Sequence, residues 1–202
     1  MRRFGPWWLA ISGAVALALG SVMFKEVSAS KAASSLPVLG RVPVFALVDQ
    51  RDQPFSDRDL RGRVWVADFV FTHCSGQCPM MHERMRTLAQ MIQHPDVRLV
   101  SFSVDPERDT PRVLAEYAAQ QRWPMQRWSF VTGARAEITR VCREGFHLAM
   151  GDGESQAEPV THSVRLALVD RRGDIRGYYD ASDTAQMAQL IRDLRQLAAS
   201  GE

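Results

Sequence analysis

Continuous apolar runs and helical apolar spacing alternate along most of this chain. Runs at 64–71, 97–104 and 128–131 are short, nearly uncharged and rich in β-branched residues, which is typical of buried strands. Apolar residues at helical spacing follow each run, so each predicted strand is followed by a one-sided helix. In the first of these helices the spaced residues are Met81, Met85, Leu88 and Ile92.

The last part of the chain changes from this alternation to a hairpin. Residues 162–170 and 175–179 read as two strands joined by a turn around Gly173, and a helix over 184–198 follows. Short strands are also predicted at 42–49 and 146–150, and turn and loop at 50–63. The order predicts an α/β fold: a thioredoxin-like central sheet with flanking helices and a C-terminal β-hairpin.

The N-terminus predicts export from the cytoplasm. The uncharged stretch 7–24 follows Arg2 and Arg3, as expected of a transmembrane helix with its basic end inside. We therefore predict an N-terminal membrane anchor or signal segment at 1–25, a flexible tether at 26–40 and a folded domain at 41–202. A cleaved signal peptide is the alternative, because small residues around Ala29 offer a cleavage site.

Charge and cysteine content narrow the function classes. The chain has 25 basic and 23 acidic residues, with no basic cluster beyond the N-terminus, so nucleic acid is a poor candidate partner. Three cysteines are too few for a disulfide scaffold. Two of them, Cys74 and Cys78, are close together, which points to a functional pair.

The stretch from Val70 to His82 carries the candidate chemistry. Cys74 and Cys78 enclose three residues between the end of a predicted strand and a helix whose first turn contains Pro79. Free backbone amides and the helix dipole at that position favour the thiolate over the thiol. Two such thiolates form either a redox pair or a chelating site for a soft metal ion.

Three motifs in this order resemble the Sco/SenC family: Thr72-His73-Cys74-x-x-x-Cys78-Pro79, then Val104-Asp105-Pro106-Glu107-Arg108-Asp109-Thr110-Pro111, then His162 opening the hairpin. The resemblance covers roughly residues 40–200. It implies a thioredoxin-like domain, usually tethered by one N-terminal helix outside an inner membrane.

The resemblance also implies a copper site made of Cys74, Cys78 and His162. It implies assistance to the copper site of cytochrome c oxidase, as a metallochaperone, a reductant of client cysteines, or both. The expected partners are a copper acceptor such as an oxidase subunit, an upstream copper donor or a thioredoxin-like reductant, and the membrane. The expected cargo is Cu(I), and Cu(II) when further ligands are added. The expected location is the bacterial inner membrane, with the domain in the periplasm.

Two departures from the family pattern reduce the negative charge expected at this site. Family members often carry an acidic residue between the cysteines and another before the histidine, where this chain has 75–77 (Ser-Gly-Gln) and Thr161. A thiol-disulfide oxidoreductase, in which Cys74 attacks and Cys78 resolves, is the rival function. His162 separates the two, because copper binding needs it and sulfur exchange does not.

For several other residues, the sequence allows both an ordinary structural role and a functional role. We expect His82 on a solvated helix position, with metal ligation as the alternative, and His73 in a structural or rim role. Met80 is a weaker candidate to contact copper, and Cys142 is expected to be a buried small hydrophobe. Asp68 either makes a structural hydrogen bond or tunes the thiols. In the loop after the second strand, Asp105 is a candidate for the metal rim and Asp109 for turn and helix-start chemistry.

Overall fold

The computed structural model describes residues 36–73, 78–121, 123, 125–148 and 164–200, and for Cys78 the backbone alone. Pro37–Glu202 forms one compact unit. The predicted anchor at 1–25 and most of the predicted tether lie outside the described residues, so the predicted domain boundaries stay predictions. No helix within the described ranges is both long enough and apolar enough to cross a bilayer.

Eight strands and four α-helices make up the described part of the chain. The strands are β1 (Gly40–Arg41), β2 (Ala46–Asp49), β3 (Pro54–Ser56), β4 (Val64–Val70), β5 (Val97–Ser103), β6 (Trp128–Thr132), β7 (Arg165–Val169) and β8 (Asp174–Asp180). The helices are α1 (Cys78–Met91), α2 (Pro111–Gln120), α3 (Arg135–Arg140) and α4 (Thr184–Ser200). A 3-10 turn covers Asp57–Leu60, and a π-helical turn, Val141–Gly145, continues α3.

All the described strands join one sheet in the order β1-β8-β7-β4-β5-β6-β2-β3. The three central strands β4, β5 and β6 run parallel, with Val64 opposite Val97 and Leu99 opposite Trp128. Strand β7 is antiparallel to β4 and pairs with β8 in the predicted hairpin. Gly173 adopts a positive φ of 84° in the hairpin turn, a conformation that glycine reaches without steric cost. The α/β plan predicted from the sequence is therefore confirmed.

The two faces of the sheet bury different sets of residues. Side chains alternate along a strand, so Trp65, Ala67 and Phe69 of β4 lie on one face, which packs against α3 and the π-helical turn. Asp68 and its alternate neighbours lie on the opposite face. There α1 contacts β6, and the apolar residues of α1 and α4 line a shared groove with β5. Helices thus cover both faces of the sheet.

Some predicted elements were wrong in detail. The predicted loop at 50–63 contains β3 and the 3-10 turn, because Ser56 caps that turn with Asp59. The predicted strand at 146–150 is irregular over its described part, 146–148. There the amide of Leu148 donates to the carbonyl of Cys142, which bends the chain back onto the π-helical turn.

Other predicted elements hold within a few residues. Thr110 is the N-cap of α2: its hydroxyl accepts from the amide of Val113 at 3.4 Å, and Pro111 opens the helix. Helix α1 begins at Cys78, one residue before the predicted first position at Pro79. Such small differences are usual at helix ends.

Candidate metal and thiol site

The predicted ligands fall at the limits of what the structure describes. Cys74 and His162 lie outside the described residues, as does the side chain of Cys78. The assignment of these three residues therefore stays a prediction. The segments that flank them are described, and they define the surroundings of the site.

The flanking segments converge on one edge of the sheet. Strands β4 and β5 are parallel, so the chain toward Cys74 leaves β4 at the edge where β5 also ends. Strand β7 runs antiparallel to β4, with Ala167 opposite Ala67, and therefore begins at that same edge. His162 precedes the start of β7 by three residues in the sequence. The ends of β5 and β4 and the start of β7 thus lie side by side at this edge.

A buried carboxylate connects the end of β4 to the end of β5. Asp109 has 0% of its surface exposed. Its Oδ1 accepts the Thr72 hydroxyl at 2.5 Å, and its Oδ2 accepts the Ser103 hydroxyl at 2.6 Å. The Thr72 amide donates to both carboxylate oxygens, at 3.3 and 3.1 Å. Asp109 therefore lies in the predicted turn before α2, where its amide donates to the carbonyl of Asp105, but its carboxylate does more than turn chemistry because it points back to the strand ends.

Asp105 lies at the start of the loop between β5 and α2, which also contains Asp109. It is buried, and its carboxylate accepts from Arg108 and lies 3.8 Å from the Arg135 guanidinium. Its amide donates to the Ser103 hydroxyl at 3.2 Å, and its carbonyl accepts the Asp109 amide at 2.9 Å. A place for Asp105 on a metal rim stays a prediction.

Asp68 lies beneath this edge in a buried polar chain. Ser101, directly opposite on β5, donates its hydroxyl to Asp68 Oδ1, and the Trp128 indole donates to the Ser101 oxygen at 2.9 Å. The other oxygen, Oδ2, has no hydrogen-bond partner among the described residues. Burial raises the pKa of Asp68 to about 7, although the Ser101 hydrogen bond opposes this shift. The predicted structural hydrogen bond of Asp68 is therefore observed, and its predicted influence on the thiols stays a prediction.

His82 is buried, so the prediction of a solvated helix position was wrong. Its ring lies among Tyr117, Trp123, Trp128 and Phe130, with ring centroids 4.8 to 6.5 Å away. Nδ1 is 3.0 Å from the Tyr117 hydroxyl, whereas Nε2 has no partner within the described ranges. Burial lowers the pKa of His82 to about 4, so the ring is neutral at pH 7. The apolar face of α1 is wider than its methionines suggested, because α2 and Trp123 cover it.

The remaining sequence candidates separate into core and surface. Met81 and Met85 are buried as predicted, whereas Met80 is partly exposed and its contact with copper stays a prediction. Cys142 is fully buried, and burial raises the pKa of its thiol to about 12, which confirms a small hydrophobe. His73 is exposed, and its Nδ1 lies 3.0 Å from the Thr72 hydroxyl, in keeping with a rim role.

Sequence reasoning missed the partners of these groups. Ser101, Ser103 and Tyr117 carry no motif of their own, and they acquire a role only through residues far away in the chain. A signal did exist for Ser103, because a hydroxyl in an otherwise apolar strand run requires a buried partner. Within the described residues, no group of three or more His, Cys, Asp or Glu side chains lies close enough together to hold a metal ion.

Comparison with known proteins gives a consistent result. The SCO1/SenC family profile matches residues 40–199. The chain is 32% identical over 162 residues to the SCO1 protein homolog of Bacillus subtilis, covering 79% of this chain and 83% of that protein. It is 33% identical over 150 residues to a putative copper-binding protein of Stutzerimonas stutzeri, covering 72% of each.

A solved structure shares the fold. BsSco, described as a member of the Sco family of cytochrome c oxidase assembly proteins with a disulfide switch, superposes with a TM-score of 0.72 at 30% identity. The match covers 83% of this chain and 99% of that one. The fold is therefore thioredoxin-like, and the chain belongs to the SCO1/SenC family.

Proposed function

We propose that this protein is a copper chaperone that binds one copper ion through Cys74, Cys78 and His162 and passes it on during assembly of the cytochrome c oxidase copper site. Copper is cargo here and not a resident cofactor. Two thiolates and one imidazole suit Cu(I), because soft sulfur ligands select it and three-coordination satisfies it. An incomplete ligand shell leaves the ion open to the acceptor's ligands.

One structural observation supports this ligand set most directly. The described chain on either side of the thiol loop and ahead of β7 meets at a single sheet edge, although the two motifs are about 90 residues apart in sequence. Cys74 directly follows the described residue His73, and His162 precedes the described residue Val164 by two positions. At 3.8 Å between successive Cα atoms, these short distances along the chain support a shared site. This proximity is what a chelating site requires.

The relatives support the choice of metal and client. The similar protein of Stutzerimonas stutzeri is described as a putative copper-binding protein, and BsSco as belonging to a family of cytochrome c oxidase assembly proteins. We extend both properties to this chain. The loop Ser75-Gly76-Gln77 adds no carboxylate, so the bound Cu(I) site carries less negative charge than one with an acidic loop.

We further propose that the domain works in the periplasm, held at the inner membrane by the N-terminal segment. Its partners there are a copper acceptor such as an oxidase subunit and a donor of copper or of reducing equivalents. The proposal rests on the uncharged stretch 7–24 after two arginines.

A Cu(I) titration tests the copper proposal. The reduced full-length chain in mild detergent is titrated against a competing chromophoric Cu(I) chelator, beside Cys74→Ser, Cys78→Ser and His162→Ala. We expect one tight equivalent that either serine variant abolishes and His162→Ala weakens at least tenfold, because each change removes a ligand. Cys142→Ala is the matched control and should bind as the unaltered chain does. Weak Cu(I) binding that is the same in the unaltered chain and in His162→Ala would contradict the proposal.

A second function, reduction of client disulfides, has one observation in its favour, the disulfide switch described for BsSco. The Cys74 thiolate would attack a client disulfide and release one client thiolate, which takes up a proton. Cys78 would then resolve the mixed disulfide, leaving a reduced client and an oxidised Cys74–Cys78 pair. A thiol reductant must reset the pair. His162→Ala should leave this exchange rate unchanged, which separates the two functions.

A further inference from the structure

Asp109 is a buried carboxylate next to the end of β4, and it accepts four hydrogen bonds from described residues. Its two oxygens accept from the Thr72 amide, the Thr72 hydroxyl and the Ser103 hydroxyl. It also lies in a tightly closed turn, because the amides of Arg108 and Asp109 both donate to the carbonyl of Asp105. The carboxylate is therefore held firmly, and it holds the end of β4 in turn.

The hydrogen bonds continue from Asp109 to the residue immediately before Cys74. A threonine hydroxyl has one proton, and Thr72 donates it to Asp109. The Thr72 oxygen therefore accepts from His73 Nδ1, 3.0 Å away. The chain Asp109–Thr72–His73 thus fixes the backbone and one ring orientation next to the first thiol.

The opposite end of the thiol loop is fixed by packing. Helix α1 begins at Cys78, and its residues Met81 and Met85 are 2% and 0% exposed against the sheet. The loop therefore leaves a strand end bonded to Asp109 and enters a helix seated in the core. Cys74 is two residues from Thr72 and Cys78 is three residues from Met81, at 3.8 Å between successive Cα atoms.

We propose that Asp109 is a positioning residue that pre-organises the thiol loop for copper by anchoring Thr72 and, through it, His73. The inference rests on the proposed function and deepens it, since neither the family match nor the similar proteins assign this role to Asp109. A loop held in its binding conformation does not lose conformational freedom when the metal arrives, so affinity rises without a new ligand. Residues that orient metal ligands through hydrogen bonds commonly change metal affinity by about 10- to 100-fold.

The test compares variants that break the anchor with variants that destabilise its surroundings only. Asp109→Asn removes the charge, and Thr72→Val removes the hydroxyl bond while keeping the side-chain shape. Thr72→Ser keeps that bond and is the conservative rescue. Thr110→Ala is the matched control, because it lies next to Asp109 and removes the α2 N-cap without touching Thr72.

Two quantities are measured on the full-length chain in mild detergent: Cu(I) affinity by chelator competition, and stability by urea unfolding of the reduced, copper-free protein. We expect Asp109→Asn and Thr72→Val to lose about tenfold or more in Cu(I) affinity. Thr72→Ser and Thr110→Ala should stay within about twofold of the unaltered chain, although Thr110→Ala lowers stability by about 1 kcal/mol. Unchanged affinity in both anchor variants would overturn the inference.

A third readout separates this inference from the proposed function. The Cys74–Cys78 pair is equilibrated with glutathione, in which oxidised glutathione and the dithiol give the disulfide and two reduced glutathiones. A held loop also fixes how readily the two sulfurs meet, so the anchor variants should shift this equilibrium constant at least threefold and Thr110→Ala should not. If the unaltered chain binds no copper, the proposed function fails and this constant alone decides the role of Asp109. If Asp109→Asn does not fold, the Thr72→Val and Thr72→Ser pair decides it.

Discussion

The two faces of the central sheet differ in what they bury: one is apolar, and the other contains buried polar side chains. The face under α3 and the π-helical turn is apolar throughout its core cluster, and its aromatic rings pack against one another in stacked and edge-to-face pairs. The face under α1 and α2 buries Asp68, Ser101 and His82 in the same layer as Trp128 and Phe130. The strands that supply both faces are the same, and alternate residues decide the difference.

The contrast indicates which face the chemistry depends on. Buried polar groups cost stability unless they are paired, and Asp68 and His82 each keep one polar atom without a partner among the described residues. One of the helices that cover this face is α1, which begins at Cys78. The apolar face therefore stabilises the fold, whereas the unpaired polar atoms of the polar face, which lie near the candidate site, lower the stability.

The largest expected effect lies on the apolar face. Phe102 is fully buried and its ring contacts four other rings, those of Phe45, Trp65, Phe69 and Phe146. Phe102→Ala should lower the free energy of unfolding by about 3–5 kcal/mol, through lost transfer energy and the cavity left behind. Urea unfolding at pH 7 measures it. Met91→Ala, at an exposed apolar position of α1, is the control, with a change of about 0.5 kcal/mol or less. A loss under 1 kcal/mol for Phe102→Ala would contradict the contrast.

Asp68 should make the protein less stable as the pH rises. Its pKa is about 7 in the folded protein and 3.8 in an unfolded chain, so between those values only the folded state keeps the proton. The contribution of Asp68 to the free energy of unfolding therefore falls from pH 4 to pH 7, by an amount on the order of 4 kcal/mol at about 1.4 kcal/mol per pKa unit. Asp68→Asn should lack this contribution, so its stability should rise with pH relative to that of the unaltered chain. Urea unfolding at pH 4.5, 5.5, 6.5 and 7.5 measures the slope, and identical profiles for the two proteins would refute the assignment.

His82 should act in the opposite direction. Its pKa is about 4 when folded and 6.5 when unfolded, so between those values only the unfolded state binds the proton. Stability is therefore lost as the pH falls from 6.5 to 4, by an amount on the order of 3 kcal/mol. His82→Phe should remove this loss. The two groups oppose each other between about pH 4 and 6.5, so the double variant should recover the flat profile of the unaltered chain there.

The smallest effect is expected for Cys142, the cysteine of the apolar face. Its burial and its pKa of about 12 make the thiol inert. Cys142→Ala should cost about 1 kcal/mol of stability, because only one buried sulfur is lost. Cu(I) affinity should not change. If Cys142→Ala altered the Cu(I) affinity, the conclusion that copper binding depends only on the polar face would be wrong.

The amino-acid sequence by itself determined the strands, the helices and their order. Buried strands such as β4 are continuous apolar runs, and helix starts such as Thr110-Pro111 carry local capping chemistry. These signals depend on neighbours along the chain, so they can be read without a structure. The same local signals located the thiol pair at a helix start, and its motif identified the family.

The tertiary structure alone decided the partners of the polar residues. Asp109 reads as turn chemistry in the sequence, yet its carboxylate binds Thr72, 37 positions away. His82 reads as solvated because nothing local shows that Tyr117 and Trp128 will cover it. The physical reason is that hydrogen bonding and burial depend on which segments the sheet brings together. A local pattern fixes the element, and the packing of distant elements fixes what each side chain contacts.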